Sequence, residues 1–343
     1  DVLTGSAQQV VGAIGVAKEK GVPWMGTQAD QSPIAPDIVV ASQLYDWEGI
    51  LADILRKHQA GEYGGTAYAL TLNNGGLVMD FDDGLDADAV AAAETAASDV
   101  ASGKIDVMAV AMGEGEMAAS GEMDYPDIAP VRIAIVMPST ITDLSWSQSI
   151  YDGVVELQNH YGEDVIEIAY TENMWNVTDA ASAIRDYADA GFNIVLAHGA
   201  QYGTSHFENA PEFPETSFAW GTATNTGEAE GVENVFAYEP RAEEGGYILG
   251  VIAANLTEAN VVGLVGPVDA GDAKLHVDGF VAGVADTNPD IQMNISFTGS
   301  FGDTALAAEA ANTHISAGAD VLAGSSQQVV GAIGVAKEKG VPW

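Results

Sequence analysis

The sequence contains no cysteine, and this absence removes three kinds of site from consideration. Without a thiol the chain forms no disulfide, presents no thiolate nucleophile and binds no metal through sulfur. Glycine-rich dinucleotide loops, Walker loops and the HExxH and GxSxG motifs are also missing. Carboxylate pairs at catalytic spacing are expected by chance among so many acids, and His198 and His206 are too isolated to predict a metal site. We therefore predict no catalytic residue, no cofactor and no enzymatic activity.

Basic residues are scarce: 11 Lys and Arg stand against 50 Asp and Glu, for a formal net charge of −39. Binding to a nucleic acid polymer or to anionic lipid requires a basic surface, so both kinds of partner are excluded. The acids are spread along the chain, and 47 % of the residues are apolar, which indicates a folded protein with an acidic surface. Because salt screens such a surface, we favour a salt-adapted source, with an acidic habitat as the rival interpretation.

Long apolar runs are lacking as well. Two of the longest, Tyr247–Ala254 and Val261–Val268, fall far short of the ~20 residues that a membrane-spanning helix needs. The chain begins at Asp1 and shows no signal peptide, so we expect a processed protein or a fragment.

The same element stands at both ends of the chain. Residues 1–24 read DVLTGSAQQVVGAIGVAKEKGVPW and residues 320–343 read DVLAGSSQQVVGAIGVAKEKGVPW, an offset of 319 residues. The copies share 22 of 24 positions and differ at two, Thr4 against Ala323 and Ala7 against Ser326. One two-lobed domain has room for this element once. We interpret the chain as a segment of a tandem array or as a circularly permuted domain; in both cases the surplus copy is free to complete a neighbouring molecule. An artefact of cloning or sequence assembly is the remaining alternative.

Short β-rich runs alternate with helical stretches from residue 131 onward, and the same rhythm covers residues 1–107. This alternation is typical of an α/β protein with parallel sheets covered on both faces. Residues 108–130 are small, acidic and without helical periodicity, and are predicted to be a linker. Reading Met25 onward after Trp343 gives one uninterrupted series of strands and helices. Residues 1–107 are thus predicted to be the end of the fold, placed ahead of its beginning.

Eight blocks carry a resemblance that covers nearly the whole chain apart from the linker. They are VRIAIVMPSTITDLSWSQSIYDGV (131–154), AYTEN (169–173), YEPRAEEGGYILGVIAA (238–254), DGFVAGVADTNPDI (278–291), TGSFGD (298–303), AGADVL (317–322), GVAKEKGVPWMG (15–26) and ADQSPIAPDIVVAS (29–42). In the restored order the chain resembles the basic membrane protein (Bmp) family of substrate-binding lipoproteins. These are extracytoplasmic receptors of ABC importers and include bacterial purine-nucleoside receptors.

The resemblance implies a type I periplasmic-binding fold in permuted order, with two parallel-sheet lobes joined by three crossovers. Residues 131–240 would form the first lobe and 241–343 the second, with 1–107 completing both. The implied function is closure of the lobes on a small ligand, first of all a purine nucleoside and otherwise another small cyclic metabolite. The implied partner is an ABC transporter permease, and the implied location is extracytoplasmic, at the cell surface or secreted. The alternative is a structural subunit of an extracellular filament or array, assembled head to tail by exchange of the repeated element.

The loop after the strand at 131–137 holds the first candidate ligand contacts. Asp143 offers an acceptor, Trp146 a flat ring, and Gln148 both a donor and an acceptor. Nucleoside receptors of the family have an acid, an aromatic residue and a Gln here, but their basic residue and Asn are replaced by Leu144 and Ser147. By the same resemblance Phe301 stands where the family places a second base-stacking ring. Trp146 and Phe301 would then sandwich a ring, at ~1–3 kcal/mol per stacking contact.

Further candidates follow other strands, namely His198, Gln201, Tyr202, Asp269, Lys274, Gln327, Gln28 and Asp30. Gln28 replaces an acid that commonly takes sugar hydroxyls in the family. Residues 325–328 carry Ser and Gln where the family has glycines, so we expect contact through side-chain amides there. Arg241 and Glu244 match a crossover segment of the family, and we interpret them as a hinge ion pair rather than as ligand contacts.

Overall fold

A computed structural model describes residues 3–5, 24–30, 32, 39–81, 87–107, 125–143, 145–269, 271–301 and 303–324, and the single positions 332, 335, 338, 339 and 341. Most of the predicted linker, most of each repeat copy and the candidate Gln327 lie outside the described residues. The strands are β1 (Leu3–Gly5), β2 (Trp24–Gln28), β3 (Val39–Tyr45), β4 (Ala67–Leu70), β5 (Leu77–Phe81), β6 (Val131–Val136), β7 (Ile166–Thr171), β8 (Ile194–Ala197), β9 (Ser217–Gly221), β10 (Val235–Pro240), β11 (Val261–Gly266), β12 (Gln292–Phe297) and β13 (Val321–Gly324). The α-helices are α1 (Glu48–Gln59), α2 (Ala87–Ala101), α3 (Trp146–Tyr161), α4 (Val177–Asp189), α5 (Gly203–Asn209), α6 (Ala242–Leu256), α7 (Gly271–Thr287) and α8 (Thr304–Ser316).

The first lobe is built on six parallel strands in the order β4-β10-β9-β8-β6-β7. Its interior strands β6 and β8 are almost entirely buried, as expected when helices cover both faces of a parallel sheet. Alternate residues of β6 serve the two faces. Ile133 and Ile135 pack in the core with α1 and α3, whereas Ala134 and Val136 pack in a second core with α4. The predicted parallel α/β architecture is confirmed.

The second lobe contains two sheets, β1-β2-β3-β5 and β12-β11-β13. Its strand pairs are parallel except for β3 with β5, which runs antiparallel as the chain returns from the first lobe. Helices α2, α6 and α7 share one apolar core with β11 and β13. The facing strands β1 and β13 contact each other, and they carry corresponding residues of the two repeat copies. Each copy therefore ends a separate sheet.

Between directly connected described elements the chain crosses from one lobe to the other at three places: from β3 to α1, from β4 to β5 and from β10 to α6. The predicted linker separates α2 of the second lobe from β6 of the first, and most of it lies outside the described residues. Hydrogen bonds join these crossovers to one another. The amide of Asp46 donates to the carbonyl of Gly76 at 2.8 Å, and the amide of Arg241 donates to the carbonyl of Leu70 at 2.8 Å. The side chain of Glu244 accepts from the amide of Leu72 at 2.7 Å. Glu244 thus joins the third crossover to the one that follows β4. The ion pair predicted between Arg241 and Glu244 is instead formed between Arg241 and Glu243.

Helices α6 and α7 pack with their backbones nearly in contact, and glycines make this approach feasible. A Cβ atom added at Gly279 would lie 2.0 Å from the carbonyl oxygen of Glu243, and one at Gly283 would lie 2.1 Å from that of Tyr247. Atoms do not approach so closely, so any larger residue would push the helices apart. The described helices include none that is both long and apolar enough to cross a membrane.

Replacing Gly279 by alanine should lower the free energy of unfolding by about 2 kcal/mol or more, because the methyl group would separate α6 from α7. The better helix propensity of alanine, ~1 kcal/mol, acts in the opposite direction and is smaller. The measurement is denaturant unfolding in ~2 M salt. Ala285 is exposed on the same helix, so Ala285→Ser should change the stability by less than about 0.5 kcal/mol. Equal stability of Gly279→Ala and the parent protein would contradict the packing described.

Candidate functional site

The candidate site is the cleft bordered by the carboxyl ends of parallel strands from both lobes. Loops that follow such strands converge at one edge of a sheet, where open α/β proteins bind their ligands. One side-chain contact spans the cleft directly, since the hydroxyl of Ser145 in the first lobe donates to Oε1 of Gln28 at the end of β2. The loop between β6 and α3 and the end of β2 are therefore neighbours across the cleft.

Asp143 is occupied by the start of helix α3. Its Oδ1 accepts from the amides of Ser145 at 2.9 Å and Gln148 at 3.0 Å, and its Oδ2 accepts from the amide of Ser147 at 3.1 Å. The residue is 1 % exposed, and burial raises its pKa although these hydrogen bonds oppose the rise. Carboxylates near a helix N-terminus satisfy amides that lack a partner within the helix. The geometry gives Asp143 the role of holding the loop in place.

Trp146 is stacked on His198, with ring centroids 3.9 Å apart and planes 14° apart. Its indole Nε1 donates to the carbonyl of His198, and Nε2 of His198 lies 3.0 Å from the carbonyl of Trp146. Burial lowers the pKa of His198 well below its ordinary value, so the ring is neutral. A carbonyl only accepts, so Nε2 carries the proton and Nδ1 accepts from the hydroxyl of Tyr238 at 2.9 Å. Trp146 is 8 % exposed, which leaves it little surface for a ligand.

Gln28 lies at the centre of the contacts across the cleft. It accepts a hydrogen bond from Ser145, and its side chain lowers the pKa of the neighbouring Tyr45. Its φ of 76° is in the left-handed region, where residues other than glycine are uncommon. Thr222, which follows β9, has a φ of 59° despite its branched Cβ. Strain of this kind, ~1–3 kcal/mol per residue, concentrates at functional sites, and both residues directly terminate strands at the cleft edge.

Buried acids face Tyr45 from the third crossover and from helix α7. Burial raises the pKa of Glu239 to about 7 and that of Asp272 to about 6, and the charges of Asp272 and Glu243 further raise the pKa of Glu239. Glu243 also has a raised pKa, chiefly through burial. The pKa of Tyr45 is raised well above its ordinary value by burial and by the charge of Asp272. These groups supply acceptors for hydroxyl or amino donors and would repel an anion.

The structure brings together some of the candidates predicted from the sequence and separates others. Gln28, Asp143, Trp146, Ser147 and His198 form one connected group, in which the buried Ser147 hydroxyl accepts from the amide of Ser139 at 3.1 Å. The side chains of the remaining described candidates lie outside this group. Four are tied to neighbours by polar contacts: Gln148 donates to Asp152, Asp30 accepts from Ser32, and Lys274 forms ion pairs with Asp269 and Asp278. Tyr202 is buried and donates to the carbonyl of Met174, whereas Gln201 is exposed and Phe301 is 37 % exposed. One face of Trp146 is covered by His198, and the predicted sandwich of a ligand ring between Trp146 and Phe301 stays a prediction.

Sequence reasoning missed four residues at the edge of the cleft: Tyr45, Thr222, Glu239 and Asp272. Tyr45 and Glu239 lie at the ends of strands, Thr222 directly follows one, and Asp272 lies in the first turn of α7. Position at a strand end was the one signal that could have found three of them. Among the described residues, no group of three or more His, Asp or Glu side chains is arranged to bind a metal ion.

Residues 130–343 match the family model for Bmp, the PnrA-like ABC transporter substrate-binding proteins. A purine-binding protein of Brucella abortus is 28 % identical over 199 residues, which cover 58 % of this chain and 55 % of the relative. The transcriptional activator protein med of Bacillus subtilis is 28 % identical over 191 residues, which cover 56 % of this chain and 57 % of the relative. The chain thus spans little more than half the length of these relatives.

Among solved structures, an ABC transporter solute-binding protein of Aeropyrum pernix aligns with a TM-score of 0.51 at 21 % identity. The alignment covers 62 % of this chain and 60 % of that one. This likeness concerns the fold alone, and it agrees with the two-lobed α/β architecture.

Stability should fall as the pH rises from ~4.5 to ~7.5, because the cleft acids bind protons more tightly in the folded state. Folding raises the pKa of Glu239 from 4.5 to about 7. Its contribution to the free energy of unfolding is therefore complete at pH values below the unfolded-state pKa and is lost as the pH rises through the folded-state pKa. That difference corresponds to on the order of 3 kcal/mol. Glu239→Gln should flatten the profile, as measured by denaturant unfolding across this range in ~2 M salt. The exposed Glu258 is the control: Glu258→Gln should leave the slope unchanged, and an equal slope in Glu239→Gln would show that Glu239 is not its source.

Proposed function

The chain belongs to the Bmp family of PnrA-like ABC transporter substrate-binding proteins, and we propose that it binds a small solute between its two lobes without chemical conversion. The family match over residues 130–343 carries this proposal. The three hydrogen-bonded crossovers support it, since lobes joined at such hinges close around ligands. The proposed partner is the permease of an ABC importer, and the proposed location is extracytoplasmic, at the cell surface or secreted.

A purine nucleoside is the ligand we propose first. The relative from Brucella abortus is named a purine-binding protein, which supports this class. The cleft acids Glu239 and Asp272 suit the hydroxyl and amino groups of a nucleoside, while their charge and the net charge of −39 disfavour a phosphorylated nucleotide. The buried position of Trp146 argues against a ring sandwich, so hydrogen bonds rather than stacking would carry most of the recognition.

Regulation of transcription by direct DNA binding receives little support, although one relative is named a transcriptional activator. Affinity for DNA comes largely from Lys and Arg placed against phosphates, and this chain has 11 such residues against 50 acids. A sensory role that acts through a partner protein would still require a solute in the cleft.

Assembly through the repeated element is a second proposal, favoured by the positions of the two copies. Thr4 pairs with Met25 on β2, whereas its counterpart Ala323 pairs with Leu264 on β11. One copy pairs with β2 and the other with β11, and the strands of the two copies contact each other, so we propose that a single copy could join β11 to β2 in one continuous sheet. The other copy would then be available to the corresponding position in a second molecule, and repetition of this contact would give an open chain of molecules.

Purine nucleosides should stabilise the protein in a thermal melt performed in ~2 M salt. A ligand at 100 times its dissociation constant adds ~2.7 kcal/mol to the free energy of unfolding. Sugars and free phosphate serve as comparison classes. Gln28→Ala should weaken the response at least tenfold in ligand concentration, because Gln28 joins the two sides of the cleft. Gln292 is exposed on β12, so Gln292→Ala is the matched control. If sugars raise the melting temperature and nucleosides do not, a sugar rather than a nucleoside is the ligand. If no class raises the melting temperature, the solute-binding proposal is wrong.

Strand exchange should be visible by disulfide trapping, since the chain has no native cysteine. When β13 of one molecule lies beside β2 of another, Ala323 takes the position of Thr4 opposite Met25. Ala323→Cys and Met25→Cys chains, refolded together and oxidised, should therefore form a mixed dimer on a non-reducing gel. Neighbouring strands are ~4.8 Å apart, within the range that a disulfide spans. Leu306→Cys, on an exposed position of α8, measures random collision. A yield no higher than this control would contradict the exchange.

A further inference from the structure

A second cavity, apart from the contacts across the cleft, lies where helix α2 ends against the start of helix α6. Its volume is about 280 Å³, near the lower limit of sites for small molecules. The wall is formed by the last turn of α2, the loop after it, the crossover residue before α6 and the first turn of α6, namely Val100, Gly103, Ile105, Asp106, Val107, Arg241, Glu243 and Glu244. It therefore adjoins the third crossover, at Arg241.

The charged groups that line this cavity are unbalanced. Asp106, Glu243 and Glu244 contribute three carboxyl groups, and Arg241 contributes one guanidinium. The guanidinium is already engaged, because it donates to Oε1 of Glu243. Glu244 is partly satisfied by the amide of Leu72. When its acids are ionised, the wall carries a net charge of about −2, which favours a cation over a neutral or anionic occupant.

Glu243 provides an independent indication that a donor is missing. Its side chain is 1 % exposed, and its second oxygen, Oε2, has no hydrogen-bond partner among the described residues. An unpaired buried carboxylate oxygen is costly because it has lost its hydrogen bonds to water, so native proteins rarely leave one without a partner. The cavity lies beside this group, and an ammonium group has three N–H donors to offer it.

We propose that this cavity binds a small organic cation, such as an amine or diamine, through Asp106, Glu243 and Glu244. A metal ion suits the site less well, because the described residues include no group of three or more acids or histidines arranged to hold one. An occupant would connect the loop after α2 to the first turn of α6, at the point where the chain enters the second lobe. The site adjoins the cleft, because Glu243 also raises the pKa of Tyr45 there, but the proposed cation does not require a solute in the cleft.

The test uses 1,4-diaminobutane as the probe and 1,4-butanediol as its uncharged counterpart. Both are titrated against the full chain at pH 8, above the pKa of about 7 of Glu244. The buffer contains ~1 M NaCl, because a screening length of only ~3 Å suppresses general attraction of cations to the acidic surface. The melting temperature should rise to a plateau with the diamine and stay constant with the diol. Glu243→Gln should raise the half-saturating concentration at least tenfold.

Asp106→Asn provides a second variant that leaves the buried core intact, because Asp106 is exposed, and it should also weaken the response several-fold. Asp290→Asn removes an exposed acid elsewhere in the second lobe and should have no effect. A response that is the same in the parent and in Asp106→Asn and Glu243→Gln would mean general binding of cations to the surface, and would overturn the proposal. If nucleosides raise the melting temperature of the parent protein and the diamine does not, the cation site is rejected and the proposed solute site is unaffected.

Discussion

The junction of the three crossovers is the constraint on which the two-lobed structure depends. Main-chain hydrogen bonds from Asp46 to Gly76 and from Arg241 to Leu70 fix the crossovers to one another, and Glu244 adds the amide of Leu72. Both lobes contain strands from either side of the predicted linker, so the chain of each lobe passes through this junction. The position of each loop at the cleft follows from it, as does the place of Tyr45 between the aromatic residues of one lobe and the acids of the other.

The acids of this protein have two physical situations. Most belong to a surface that salt screens, and these explain the net charge of −39 without indicating any site. A few, Glu239, Glu243, Glu244 and Asp272, are held at the junction and the cleft, where burial raises their pKa values. Low dielectric makes these few groups responsive to protons and to cations, because each ionised form lacks the water that stabilises it at the surface. The solute site is proposed at Glu239 and Asp272, and the cation site at Glu243 and Glu244 together with the exposed Asp106.

Much of the fold could be predicted from the sequence, because the signal for it is local. The alternation of apolar runs with helical spacing located β6, β8 and β11 and the helices between them, and the blocks shared with the Bmp family ordered them. The site was harder to predict. The stacking of Trp146 on His198 joins residues 52 positions apart, and the Arg241 pair could not be assigned to Glu243 over Glu244 from spacing alone. Glu239 and Asp272 were hidden by the number of acids around them, since nothing in a sequence marks which carboxylates are buried.

The close packing of α6 on α7 has a mechanical consequence. Helix α6 starts at the third crossover, and its 15 residues form a rod ~22 Å long at ~1.5 Å per residue. With backbones almost touching at Gly279 and Gly283, the two helices have no room to slide, so they must turn together as one lever. A rotation of ~10° at Arg241 would carry the far end of that lever ~4 Å, from the same ~22 Å length. Small rearrangements among a few hydrogen bonds at the junction would in this way be amplified into displacement of a whole lobe.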